Sequence, residues 1–279
     1  MKMIIIKKKI IYALAAALIV VSCSTGINLF TDNDEVHLGS QFDQEIKNNP
    51  KEYPIYKNSA VKNYIDTRIF QHLLQSPEIK KKTVYNYQLE MIDNDSVLNA
   101  FAIPGGYVYL YTGLVKYLET EAALAGVLGH EIAHVERRHA TQRITSAYGL
   151  QMIASLALGN NPSEVSIMVA NLFSGLALLA NSRSDEDESD EYSIKYLAGT
   201  RYYPGAVKFF FEKLKDDGKV SSASGGIQTF LSTHPDPVER ISTTNTRISN
   251  MGYPVKDYKA SGEGIYREEY KTNILSKMK

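Results

Sequence analysis

GVLGHEIAHVERRH, residues 126–139, sets three histidines and two glutamates on one short segment. Thr120 ahead of it is a good N-cap, and EAALAGVLGHEIAHVERRHATQRI is rich in alanine and leucine, so a single long helix is predicted. At 3.6 residues per turn, positions four apart differ by about 40° in azimuth. His130 and His134 therefore project from one face, a turn apart, where both imidazoles can reach one ion. Glu131 sits about 100° round the helix, too far to share that bond but near enough to hydrogen-bond a metal-bound water, as a general base would. His139, five residues past His134, is rotated off the ligand face and reads as structural. Gly126 and Gly129 cost a helix roughly 1 kcal/mol each against alanine, which close packing on a neighbouring element would explain.

Two ligands need a third. The metzincin continuation would require glycine at 137 and histidine at 140; Arg137 and Ala140 exclude that class. The acidic run NSRSDEDESDEYSIKYLAG, 181–199, supplies another source. Most of its carboxylates read as a solvated helix face. Glu186 and Asp190, four apart, share one face. Glu186 would complete a His, His, Glu set with an open fourth position, and Asp190 would accept the free ring N–H of a ligand histidine. Spacing alone leaves Glu188 as a competing ligand.

Upstream, TVYNYQLEMI (83–92), NAFAI (99–103) and YVYLYT (107–112) are β-rich, with a turn at Pro104-Gly105-Gly106. Alternation in YVYLYT puts Tyr107, Tyr109 and Tyr111 on one face. The reading is an edge strand beside the site, to which an extended peptide adds by main-chain hydrogen bonds, with these tyrosines as substrate contacts. AVKNYIDTRIFQHLLQ (60–75) has helical periodicity, with His72 not a ligand. DNDEVHLGSQFDQEI is the best helix of the polar stretch before it.

Charge is balanced, 31 basic against 31 acidic, but Lys2, Lys7, Lys8 and Lys9 lie in the first nine positions; without them the balance is 27 against 31, a net −4. Such a chain is poorly suited to nucleic acid. The lysine-bearing head, the 12 apolar residues Ile10 to Val21 and then Ser22 and Cys23 read as a leader too short to span a bilayer. VVSCS resembles a bacterial lipobox, which implies lipidation of Cys23 and a membrane anchor. With Ser24 rather than Asp following, the resemblance to lipoproteins implies the outer membrane, facing the periplasm. The remaining sequence divides into a tether with N-terminal helices (23–59), a main domain (60–250) and a tail without trusted periodicity (251–279). Within the main domain, 147–180 reads as an apolar helical hairpin over the core or cleft. Pro204 opens a helix, 216–226 is a loop by composition, and 237–250 is the last helix predicted. The fold class is α+β, mostly helical with a small β-sheet beside the helix at 121.

HEIAH, SRSDEDESD, NAFAIPGGYVYLYTGL and STHPDPVER, spread over 99–240, together resemble the HtpX and Oma type of zinc metallopeptidases, relatives of the CAAX prenyl endopeptidases. The resemblance implies a gluzincin fold, one zinc, endopeptidase activity and envelope protein quality control. It implies His130, His134 and Glu186 as ligands, Glu131 as base and Asp190 behind a ligand, and so prefers Glu186 over Glu188. The family's usual Glu-Ala-Asp ending stands here as Glu188-Ser189-Asp190. It also implies that the loop with His234 and Arg240 lies at the site. There His234 is expected to donate to the oxyanion or to take the fourth zinc position at rest, while Arg240 orders the loop through a carboxylate. The expected substrates are unfolded or misassembled proteins, whose backbones are free. The rival is a zinc-stabilised periplasmic chaperone or assembly factor with latent or no proteolysis, which would have no need of Glu131. No repeats are found, so an array of tetratricopeptide repeats is not expected.

Overall fold

A computed structural model describes residues 28–158, 162–222, 227–235 and 237–278. The expected leader and the expected lipidation at Cys23 lie outside the described residues.

Helix α1, Asp32–Asn48, starts in a capping box between Thr31 and Asp34 and buries Leu38, Phe42 and Ile46. Helix α2 runs through Ser59–Ile65, a π turn at Asp66–Phe70 and Gln71–Leu73, burying Val61, Ile65, Ile69, Phe70 and Leu73. The sheet follows: β1 (Gln88–Ile92), β2 (Ala100–Ile103) and β3 (Tyr107–Tyr111). Its order is β1-β3-β2, with β1 parallel and β2 antiparallel to β3. The turn between β2 and β3 holds Gly105 at φ 78° and Gly106 at φ 106°, a region that glycine enters without strain. That turn seats α1, since a Cβ on Gly39 would lie 1.9 Å from the Pro104 carbonyl oxygen.

This topology corrects the reading of 107–112 as an edge strand. Both ladders of β3 are occupied, and a strand bonded on both sides has no groups left for a peptide. The edges are β1 and β2; β1 carries an isolated bridge from Ile55 to Ile92, while β2 among the described residues pairs only with β3 and leaves its outer side free.

Helix α3, Thr112–Tyr117, leads to α4, Glu121–Glu136, capped by Thr120 and buried along its whole length. The predicted single helix ends here. Arg138 takes a left-handed φ of 64°, and α5, His139–Leu158, starts in a new direction. The side chain of Arg138 bonds Glu35 and the Phe30 carbonyl, contacts that hold this unusual backbone. Helix α6, Pro162–Leu178, pairs with α5 as the expected helical hairpin; no helix among the described residues is long and apolar enough to cross a membrane.

Helix α7, Arg183–Ala198, is capped by Ser182, and the chain continues through a 3₁₀ turn at Pro204–Lys208 into α8, Phe209–Asp216. Short helices α9 (Lys219–Ser222) and α10 (Ile227–Thr233) precede α11 (Pro237–Asn250) and α12 (Arg267–Asn273). Helix α4 lies between α7 and the 204–208 turn. A Cβ on Gly126 would meet the Val207 nitrogen at 2.5 Å, and one on Gly129 the Ser193 Oγ at 2.8 Å. These approaches are what the two glycines allow. The tail is also corrected: Ile265, Tyr270, Ile274 and Met278 are buried in the main core, and Tyr270 donates to the Val115 carbonyl at 2.6 Å. The domain therefore extends beyond residue 250.

Candidate metal centre

Helix α4 delivers His130, Glu131 and His134 from one turn; α7 delivers Glu186; the segment after α10 delivers His234. One donor atom each from His130, His134, Glu186 and His234 lies within 4.8 Å of the others, and all four residues are buried. The separations are His130 Nε2 to His134 Nε2 2.9 Å, His130 Nε2 to Glu186 Oε2 3.4 Å, His134 Nε2 to Glu186 Oε1 3.3 Å and His130 Nε2 to His234 Nδ1 3.4 Å. A tetrahedral ion with bonds of about 2.0–2.1 Å sets its donors about 3.3 Å apart, so the set fits zinc.

The surrounding hydrogen bonds assign tautomers that serve the same end. His130 Nδ1 is 2.9 Å from Asp190 Oδ1. A carboxylate accepts only, so the proton lies on Nδ1 and the Nε2 lone pair faces the cluster. His134 is set by a longer relay. Glu188 Oε2 takes the Nε2–H of His139 at 2.9 Å, which leaves His139 Nδ1 to accept from His134 Nδ1 at 2.8 Å and frees His134 Nε2. Glu188, the competing ligand of the sequence reading, stands behind the second histidine instead. His139 meets His134 because the chain breaks at Arg138; on one continuous helix it would point away. Expected result: His139→Ala weakens zinc binding by about 10- to 100-fold, as for other partners of metal-bound histidines. A competition titration against a chromophoric chelator measures this, and unchanged affinity would reject the relay.

Electrostatics favour positive charge at the centre. Burial opposes charge on His130, yet Glu186 and Asp190 outweigh it and lift its pKa to about 9. Burial, with His130 beside it, pushes His134 well below the usual range. Burial also opposes charge on Glu186, but His234 and Arg240 hold its carboxyl well below the usual range. Glu131 has no such pairing, and burial pushes its carboxyl up. Arg240 bonds Asp190 at 2.7 and 2.6 Å and Glu186 at 2.5 Å, with its guanidinium 4.3 Å over the Phe211 ring. It ties α11 to α7 and holds both carboxylates. His234 stacks on Phe230 at 4.7 Å and places Nε2 3.8 Å from Glu131 Oε1. Asn181, which the sequence reading passed over, donates to Glu186 Oε1 at 2.6 Å. Its only sequence signal is its place just before the α7 cap.

The cluster opens on a cleft of ≈ 390 Å³ whose wall includes Glu131, His134, Phe101, Ala102, Tyr111 and Phe173. Of the three tyrosines expected to touch substrate, only Tyr111 reaches it. Tyr109 is buried with its hydroxyl 2.5 Å from Asp43, and Tyr107 is half-buried against α1 near Gly39. Alternation sets the three on one face, which meets α1 at Tyr107 and Tyr109 and the cleft at Tyr111.

Comparison with known proteins matches residues 61–248 to Peptidase family M48. A relative in Vibrio cholerae is 30% identical over 233 residues, 80% of this chain and 46% of that protein. The beta-barrel assembly-enhancing protease of Escherichia coli is 27% identical over 229 residues, 78% of this chain and 44% of that one. The mitochondrial metalloendopeptidase OMA1 of Arabidopsis thaliana is 31% identical over 151 residues, 54% and 29% of the respective chains. The chain spans about half the length of the curated relatives it matches first.

Proposed function

The chain belongs to Peptidase family M48, and from that premise we propose that it is a zinc-dependent endopeptidase acting on unfolded or misassembled proteins of a bacterial cell envelope. The observation that carries this reading is Glu131, buried, with His234 Nε2 at 3.8 Å as its one ion-pair contact among the described residues, and set beside the four-donor cluster at the wall of an open cleft. Bound zinc supplies Lewis-acid polarisation of the carbonyl to be cut. His130, His134 and Glu186 would hold it, with Asp190 and His139 fixing the imidazoles. Glu131 takes a proton from the attacking water and passes it to the leaving amine, a role its raised pKa suits.

An extended substrate adds to the free edge of β2, whose Phe101 and Ala102 line the cleft, and Tyr111 contacts it from the strand behind. Such pairing needs a backbone not already bonded within a fold, hence the preference for unfolded chains. The names of the Escherichia coli relatives, beta-barrel assembly-enhancing protease, support envelope substrates. The lipobox-like VVSCS supports an anchor at Cys23 in the outer membrane, facing the periplasm.

His234 favours a second state of the same enzyme. The residue borders the cleft and its Nδ1 stands among the donors, so it takes the fourth position at rest and must swing out for a substrate to enter. The site then has a latent form, which joins the chaperone reading to the protease reading.

Casein hydrolysis by the purified chain tests the proposal. Chelation is expected to abolish cleavage and added zinc to restore it. Cleavage that persists after verified zinc removal would defeat the metallopeptidase reading.

A further inference from the structure

Arg143 stands on the first turns of α5 and lines the same cleft as Glu131 and His134. Its Nε and Nη1 are fully buried, yet they meet no hydrogen-bond partner among the described residues. Guanidinium nitrogens carry only donors and keep their charge, so a buried pair of N–H groups without acceptors is costly to maintain. Of the other charged groups of the cleft wall, Glu52 accepts from Asn49 and Glu131 faces His234. Arg138 is bonded to Glu35 and to the Phe30 carbonyl, and Glu35 also accepts from Tyr85 and Thr141. Asp185, Glu186 and Glu131 lie on the Arg143 side, but none forms an ion pair with it among the described residues, and Glu186 is held by Arg240 and Asn181. Burial of the guanidinium pushes its pKa down, the mark of a cation without a matching partner.

We propose that Arg143 is a specificity-determining residue that binds a substrate carboxylate next to the bond to be cut. The fork of a guanidinium matches a carboxylate with two parallel hydrogen bonds, which an amide of the same shape cannot replace. Phe173 and Leu176 of α6 also line the cleft, and a low local dielectric of that kind strengthens a charged pair. The carboxylate has two sources: an Asp or Glu side chain inside a substrate, or the free C-terminus of a chain cut near its end. This inference rests on the endopeptidase reading for the occupant being a peptide.

Peptide binding to zinc-loaded Glu131→Gln protein tests it without requiring cleavage. Fluorescence anisotropy would compare peptides that differ only by Glu against Gln at each position around a central bond, each with a free and an amidated C-terminus. The expected result is about tenfold or tighter binding for one carboxylate position. A Glu preference identifies an internal acidic residue; a preference for the free terminus identifies a chain end. Adding Arg143→Gln should make the paired peptides bind alike, and Arg143→Glu should invert the preference toward Lys. Equal Kd values for all pairs with Arg143 intact overturn the proposal, whether or not the variants fold. A preference that survives Arg143→Gln in folded protein overturns it too. If the preference appears and depends on Arg143 while the native chain cuts nothing, the carboxylate site stands and the protease reading falls.

Discussion

Glu131→Gln lowers kcat by about 10²- to 10⁴-fold while the chain still binds one zinc, the range a positioned general base contributes. Glutamine keeps the length and shape of the side chain but cannot accept a proton from water at neutral pH. The residue lies outside the four-donor cluster, so its loss leaves the ligand set complete. It makes no hydrogen bond to the histidines, the nearest contact being 3.8 Å from His234. Parallel measurement of peptide hydrolysis and of zinc by atomic absorption checks both halves. Undiminished hydrolysis at full zinc content would remove Glu131 from the chemistry. Loss of zinc together with activity would mean a structural role instead.

The second large effect concerns stability. Arg240→Ala is expected to destabilise the zinc-free chain by about 3–5 kcal/mol, the range for breaking one partner out of a buried ion pair. Arg240 is only 6% exposed and joins two carboxylates that are as deeply buried. Removing it strips both carboxylates of their guanidinium, leaving Asp190 to His130 and Glu186 to the histidines and Asn181. Zinc restores part of the loss by neutralising Glu186, so the deficit should shrink on metal binding. Arg240→Lys should recover little, because a point ammonium cannot bond both oxygens of Asp190 and reach Glu186 at once. Denaturant melts with and without zinc make the comparison, and a loss under 1 kcal/mol in both would refute the bridging role. The acid side adds a signed expectation. Burial opposes charge on Asp190, but Arg240 outweighs it and holds the folded pKa below the usual value, as it helps to do for Glu186. The stabilisation is therefore complete above the unfolded carboxylate range of about 4 and is lost as pH falls through the folded values. In Arg240→Ala this acid transition should move to higher pH.

Much of the site was legible because it is local. Helical periodicity alone sets His130 and His134 on one face with Glu131 beside them, and it sets Glu186 and Asp190 on one face of α7. Thr120, Ser182 and the Pro-Gly-Gly turn mark element ends by chemistry that acts over a few residues. The choice between Glu186 and Glu188 was not local. It depended on how α7 lies against α4, where Ser193 bonds the Gly126 carbonyl at 2.9 Å and turns Glu186 toward the histidines.

Residue types that can hold zinc, their spacing on two helices and the α+β class are all readable from the chain alone, because each follows from the period of a single element. That β3 is central and β2 an edge came from the folded arrangement, since strand order is a pairing between distant segments. The same arrangement decided the break at Arg138 that brings His139 behind His134, held by contacts to Glu35 and Phe30 about a hundred residues away. The burial of the 265–278 tail, the approach of Asn181 and the place of Arg143 in the cleft wall have the same origin. Each is a contact across the chain, and no local pattern of residues encodes which distant surface a side chain will meet.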